Sequence, residues 1–115
     1  MKDLTEVADR LQLVMVEIRK SEEYAKWIDG LRDLKARARI QARVERLRAG
    51  NPGDVKPVGA GVSEMRIDYG PGYRVYFVKR GDVLIILLVG GDKGSQAEDI
   101  KTALNLASKL KENAK

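Results

Sequence analysis

Residues Gly61–Glu98, GVSEMRIDYGPGYRVYFVKRGDVLIILLVGGDKGSQAE, decide the fold of this chain. They contain three runs rich in apolar residues, and a glycine-containing turn separates each run from the next. The first two runs place apolar and polar side chains on alternate faces, and the third is apolar at every position. This pattern predicts three antiparallel strands, the last of them buried on both faces, at residues 62–69, 73–79 and 83–89. A Gly-Gly-Asp-Lys-Gly loop follows, and Ser95 with Glu98 has the capping-box spacing that opens a helix.

Upstream of these strands the spacing of apolar residues is mainly helical. Met1–Val14 reads as an amphipathic helix, residues 15–19 alternate as a short strand, and Ser21 can cap the helix that follows. A second helix, about residues 32–49, ends at a Gly-Asn-Pro-Gly turn, and a loop through Pro57 leads to the three strands. The predicted fold is therefore an α+β domain, in which two N-terminal helices and a C-terminal helix pack on a small, mainly antiparallel sheet.

The composition restricts the chemistry. The chain has 115 residues, enough for one compact domain, and it contains neither cysteine nor histidine. Disulfides, thiolate metal sites and the usual general acid–base group near neutral pH are thereby excluded. We expect no metal and no cofactor, and any catalysis must use Lys, Arg, Tyr, Asp or Glu, or groups of a partner.

Charge and hydropathy indicate the kind of partner. No apolar run reaches the roughly 18 residues of a membrane span, and the N-terminus lacks the apolar core of a signal peptide, so we expect a cytoplasmic protein without membrane contact. The net charge is +5 and the isoelectric point about 9.6. Such an excess suits nucleic acid or an acidic protein partner, and it also occurs in small domains with neither role.

Three basic residues are the leading candidates for a phosphate site. Arg66 and Arg74 lie in neighbouring strands, where a hairpin can bring them within one side-chain length of each other. Lys93 follows two glycines, which would allow backbone N–H groups to approach a phosphate closely. Guanidinium groups offer paired donors that match phosphate oxygens. The alternative interpretation is that Arg66 and Arg74 form surface salt bridges with Glu64 and Asp68.

Other basic and aromatic residues are candidates for RNA contacts. The arginines of the second helix form either a solvated face or a track for a nucleic-acid backbone. The tyrosines of the strands are divided between the two sheet faces, so at most one or two of them can stack on a base. The residues that we select on this basis are Arg43, Arg46, Tyr73, Tyr76 and Lys79.

Residues 61–67 (GVSEMRI), 70–76 (GPGYRVY) and 91–93 (GDK), with the capped helix after them, resemble the RelE/ParE toxin superfamily. The resemblance is to its Gp49-like, HigB-type branch of phage-derived addiction module killer proteins, and it covers about Met15 to Leu110. It implies a RelE-like sheet with a mixed edge and a single toxin domain at residues 15–112. Residues 1–14 lie outside it, either as a genuine helical extension or as a mis-assigned start.

The resemblance also implies a function. Such proteins are toxins of type II toxin–antitoxin modules, and relatives of the RelE and HigB type are mRNA interferases that cut mRNA in the ribosome by attack of a ribose 2′-OH on the adjacent phosphate. Arg74 matches the arginine that stabilises the phosphorane, and Arg66 and Lys93 match basic positions nearby. The implied partners are a cognate antitoxin, the ribosome and its mRNA, and operator DNA only through the antitoxin complex.

One departure from the family pattern leaves the mechanism open. Many relatives carry a His or Tyr near the C-terminal element as acid or base, whereas this chain has no His and no Tyr after Tyr76. Lys93 or Asp92 then serves in proton transfer, or electrostatics and the ribosome carry the reaction. The alternative functions are a ParE-like inhibitor of DNA gyrase and a non-catalytic regulatory toxin homologue.

Overall fold

The computed structural model describes residues 16–113, which form a mixed α+β fold of five strands and three helices. No helix in this range is long and apolar enough to cross a bilayer. The predicted helix Met1–Val14 lies outside the described residues. In chain order the elements are β1 (Glu17–Lys20), α1 (Glu22–Gly30), α2 (Leu34–Arg48), β2 (Val55–Gly59), β3 (Val62–Ile67), β4 (Tyr73–Arg80), β5 (Leu84–Gly91) and α3 (Gln96–Asn113), with one 3-10 turn (Lys93–Ser95) before α3.

The strands form one sheet in the order β1-β5-β4-β3-β2. The neighbours from β2 to β5 are antiparallel, whereas β1 runs parallel to β5 and forms the other edge. The predicted three strands are therefore present: the first two begin at the predicted residue, and the other ends differ by one to two residues. Strand β2 was missed, because the sequence around Pro57 reads as a loop. Among residues 16–113 its only sheet neighbour is β3, and proline, which has no N–H to donate, is tolerated in such an edge strand.

Helices cover both faces of the sheet. On one face, α1 and α2 pack on inward side chains of β3, β4 and β5, and this core includes Tyr24, Ile28, Ile40, Val44, Met65, Val75 and Phe77. On the other face, α3 packs through Ala103 and Ala107 on Val62, Tyr76, Val78 and Leu88. Because β5 lies between two helical layers, its residues contribute to both cores, which is why this strand is apolar throughout.

The helix starts follow local capping chemistry. Ser21 and Asp33 cap α1 and α2 as their side chains accept the N–H groups of Tyr24 and Ala36. Before α3 the capping box predicted for Ser95 and Glu98 is wrong, because the box is formed three residues earlier, by Asp92 and Ser95. The Asp92 side chain accepts the N–H of Ser95 at 3.3 Å, and the Ser95 hydroxyl accepts the N–H of Asp92 at 3.2 Å. The chain makes a 3-10 turn there, so the box forms one turn earlier.

Candidate functional site

The β3–β4 hairpin places Arg66 and Arg74 directly opposite each other, as the sequence predicts. The preceding cross-strand pair on the same sheet face is Glu64 with Tyr76. Two like charges facing each other across strands repel, so this arrangement needs a counter-charge.

Glu64 supplies that counter-charge from inside the fold. Its side chain is 0% exposed. Oε1 accepts from Arg74 Nη1 at 2.8 Å and from Arg66 Nε at 3.2 Å. Oε2 accepts from the Tyr76 hydroxyl at 3.0 Å and from Gln96 Nε2 at 2.9 Å. The alternative interpretation predicted surface salt bridges with Glu64 and Asp68. The arginines do pair with Glu64, but its carboxylate is buried and not at the surface. In residues 16–113 neither arginine pairs with Asp68.

The protonation states follow from this network. Burial by itself raises the pKa of Glu64. Hydrogen bonds from Gln96 and Tyr76, the charge of Arg74 and a hydrogen bond from Arg66 together lower it by more than burial raises it, so the pKa of Glu64 is below its usual value. Burial, and then the bond to Glu64, raise the pKa of Tyr76. Glu64 is thus a carboxylate and Tyr76 a neutral phenol at neutral pH. Neither is exposed, so neither contacts a bound molecule in this conformation.

The two arginines line a hollow at the turn end of the hairpin. The Arg66 side chain is 38% exposed and that of Arg74 is 13% exposed. Arg74 Nε is buried and has no hydrogen-bond partner in the described part of the chain. The hollow has a volume of about 270 Å³. Its lining residues are Asp54, Arg66, Ile67, Asp68, Gly72, Tyr73 and Arg74.

Tyr73 is a further lining residue of this hollow. Burial, followed by the charges of Asp33 and Asp92, raises its pKa, so the phenol stays protonated near neutral pH. Its ring packs edge-on against Trp27, with the ring centroids 6.3 Å apart. Tyr73, selected from the sequence as an RNA contact, therefore lines the same hollow as Arg66 and Arg74.

A second basic hollow of about 220 Å³ adjoins the first. Both are lined by Ile67 and Asp68, so they lie side by side, and the two together are called the basic groove below. The remaining lining residues of the second hollow are Arg39, Ala42, Arg43 and Arg46. Arg39 was not among the residues selected from the sequence as RNA contacts, although it lines this hollow. Its guanidinium carbon lies 4.7 Å above the centre of the Tyr69 ring.

The arginines of α2 differ in role. Arg43 donates from Nη1 to the carbonyl of Arg66 at 2.7 Å and from Nη2 to the carbonyl of Pro52 at 3.1 Å. Its guanidinium thus ties α2 to the end of β3 and to the turn before β2, a role that the sequence did not predict. Arg46 is exposed in the groove, where an RNA backbone could reach it.

Lys93 lies beside the β3–β4 turn. Its N–H donates to the carbonyl of Pro71 at 3.4 Å, and its Cβ lies 3.5 Å from where a side chain on Gly72 would begin. The side chain is exposed. Since Gly72 also lines the hollow, Lys93 lies near its rim.

Two selected residues lie away from this groove. Tyr76 is 0% exposed, so the prediction that its ring contacts RNA is wrong for this conformation; it holds Glu64 instead. Lys79 is exposed on β4 but five residues beyond Arg74, which separates them by roughly 17 Å along the strand. The sequence could not show that Tyr76 is buried, because a strand pattern does not reveal which helix covers a face, whereas the distance of Lys79 follows from its spacing in the strand.

Gly90 and Gly91 also have a different role from the predicted approach to phosphate. Both residues are buried. A side chain on Gly90 would collide with the ring of Trp27, and one on Gly91 would collide with the carboxylate of Asp99. These glycines therefore make room for α1 on one face of the sheet and for α3 on the other.

Comparison with known proteins identifies the family. The family model "Phage derived protein Gp49-like" matches residues 26–112. The chain belongs to this Gp49-like family. Its members are often toxins of toxin–antitoxin systems, and such a toxin has an antitoxin as partner.

A relative from Haemophilus influenzae supports the assignment. It is 47% identical to this chain over 95 residues, which cover 83% of this chain and 96% of the relative. Its description is "Uncharacterized protein", so it adds no activity. No solved structure matches the chain significantly.

Proposed function

We propose that this Gp49-like protein is the toxin of a type II toxin–antitoxin module and cleaves mRNA on the ribosome. The observation that supports this most is the Arg66–Arg74 pair, which lines one of the two hollows of the basic groove. A groove lined by several guanidinium groups suits a chain of phosphodiesters better than a single small anion.

The proposed reaction is transesterification within the RNA. A ribose 2′-oxygen attacks the adjacent phosphorus, the bond from phosphorus to the 5′-oxygen breaks, and the products are a 2′,3′-cyclic phosphate and a 5′-hydroxyl. Arg74 and Arg66 stabilise the additional negative charge of the phosphorane, and Lys93 adds a cation at the rim. These three residues are the proposed catalytic residues.

Proton transfer is shared with the ribosomal complex in this proposal. Tyr73 remains a phenol, so it can protonate the leaving 5′-oxygen but does not act as the base. The Asp92 carboxylate is used in its capping box, where it accepts from Gly94 and Ser95. The acceptor for the 2′-OH proton is accordingly a group of the ribosome or the RNA, so cleavage should require translating ribosomes.

The partners follow from the same surface. The cognate antitoxin is proposed to cover the basic groove with acidic residues, and the pair to bind operator DNA through the antitoxin. Action on translating ribosomes places the free toxin in the cytoplasm. The boundaries of the toxin domain, residues 15–112, remain a prediction.

Mapping the 5′ ends of mRNA after brief induction tests the activity. The native chain should produce new ends within translated regions, whereas Arg74→Ala should lower cleavage by about 10²-fold or more, the effect of removing one donor to a developing oxyanion. Lys79→Ala is the control, since Lys79 is exposed on the same strand and distant from the hollow. Full cleavage by Arg74→Ala would contradict the site, and intact mRNA with blocked DNA supercoiling would identify a gyrase inhibitor instead.

A further inference from the structure

The two oxygens of the Glu64 carboxylate have separate partners. Oε1 accepts from the two arginines of the hollow, at 2.8 Å and 3.2 Å. Oε2 accepts from Tyr76, in the core under α3, and from Gln96, in the first turn of α3, at 3.0 Å and 2.9 Å. One oxygen therefore faces the candidate site, while the other is anchored to two rigid elements of the fold.

We infer that Glu64 is a positioning residue, which holds Arg66 and Arg74 so that their remaining N–H donors converge on one phosphodiester in the hollow. Arg74 is held through Nη1 and Arg66 through Nε, so different edges of the two guanidinium groups are left for a ligand. The identity of the occupant as an RNA phosphodiester rests on the proposed function.

The negative charge of Glu64 allows a positioning role to be distinguished from a purely electrostatic one. If Glu64 acted only through its charge, it would oppose RNA binding, and its neutralisation would strengthen both binding and cleavage. As a positioning residue it has the opposite effect on catalysis, because a guanidinium that is free to rotate loses its alignment with the phosphorane. Neutralising Glu64 should therefore leave binding intact or tighter and still slow the reaction.

The experiment compares Glu64→Gln with Glu98→Gln. Both substitutions remove one negative charge, but Glu98 is on the outer side of α3 with its side chain 81% exposed. The two readouts are the single-turnover rate of mRNA cleavage on ribosomes and the affinity for a 2′-O-methyl RNA oligonucleotide, which cannot be cleaved. Glu64→Gln should lose about 10- to 100-fold in rate without loss of affinity, whereas Glu98→Gln should stay within about twofold in rate. A Glu64→Gln rate equal to or above that of the native chain would overturn the inference.

A second pair of measurements keeps the inference testable if Glu64→Gln folds poorly or if the protein does not cleave RNA. Gln96→Ala removes one anchor of Oε2 without altering either arginine, and it should slow cleavage by about 3- to 10-fold. Side-chain NMR of the arginines shows directly, without RNA, whether Glu64 restricts the motion of the two guanidinium groups. The guanidinium protons of Arg74 should exchange slowly in the native chain and faster in Gln96→Ala. Slow exchange without any cleavage would count against the proposed function alone, and equally fast exchange in both proteins would overturn the role of Glu64.

Discussion

Gly90 illustrates how a single residue sets the distance between two layers. It lies near the end of β5, where the ring of Trp27 from α1 rests on the backbone. Any side chain there would displace the indole, which itself supports Tyr73 beside the candidate site. The glycine is needed for close approach and not for an unusual backbone angle, since it is absent from the residues with positive φ.

Gly90→Ala should consequently destabilise the fold. Overpacking by one methyl group in a well-packed interior typically costs about 1–3 kcal/mol of unfolding free energy. The control is Gly30→Ala at the end of α1, where an added methyl group would meet no atom within 4 Å, so stability should be unchanged or higher by up to about 1 kcal/mol. Urea unfolding of both variants measures the difference. A Gly90→Ala midpoint equal to that of the native chain would mean that the indole moves freely.

At the scale of elements, α2 connects the core to the basic groove. Its apolar side chains Ile40 and Val44 lie in the core, and Arg43 on the same helix binds two backbone carbonyls of neighbouring segments. One of these carbonyls belongs to Arg66, so the position of β3 at the candidate site depends on α2. Arg48 adds a similar bond, from Nε to the carbonyl of Val16 at 2.8 Å.

Arg43→Met should therefore reduce stability, because it leaves the carbonyls of Arg66 and Pro52 without their donor. The expected loss is about 1–3 kcal/mol, measured by chemical denaturation. Arg43→Lys should restore only part of it, since a single ammonium group does not reproduce the fork of a guanidinium. Arg46→Met on the exposed side of the same helix should change stability by less than about 0.5 kcal/mol. Equal losses for Arg43→Met and Arg46→Met would show that Arg43 is not a structural brace.

At the scale of the whole molecule, part of the basic excess lies in and beside the basic groove. The chain has 22 basic and 17 acidic residues, and the basic groove with Lys93 at its rim combines arginines from α2, β3 and β4. Attraction of this kind depends on salt, because each neutralised phosphate releases counterions. The charge distribution thus leads to a test of where RNA lies.

Affinity for the 2′-O-methyl RNA oligonucleotide, measured by fluorescence anisotropy over a series of KCl concentrations, should fall with a logarithmic slope of about −2 to −3. This corresponds to roughly three or four phosphate contacts with a single strand. Arg46→Met should make the slope shallower by about 0.7, the share of one contact, whereas Lys79→Met should leave it unchanged. If both substitutions altered the slope equally, RNA would follow β4 and not the basic groove.

The sequence by itself determined the strands of the β3–β4–β5 meander, the helices after Ser21 and Asp33, and the opposition of Arg66 and Arg74. These features depend on local periodicity and turn chemistry, which act between residues close in the chain. The Gly-Pro-Gly turn sets the register of its hairpin, and the register then determines which side chains face each other.

Only the tertiary structure decided which of these side chains form a site. Strand β2, the buried carboxylate of Glu64, the anchoring role of Tyr76 and the bracing role of Arg43 all depend on contacts between segments distant in the chain. Alternation shows that Glu64, Arg66, Arg74 and Tyr76 share a sheet face, but the docking of α3 decides which of them are buried. Burial in turn makes Glu64 and Tyr76 part of the interior and leaves the arginines open to a ligand, because an ionised group leaves water only where several hydrogen bonds replace its hydration.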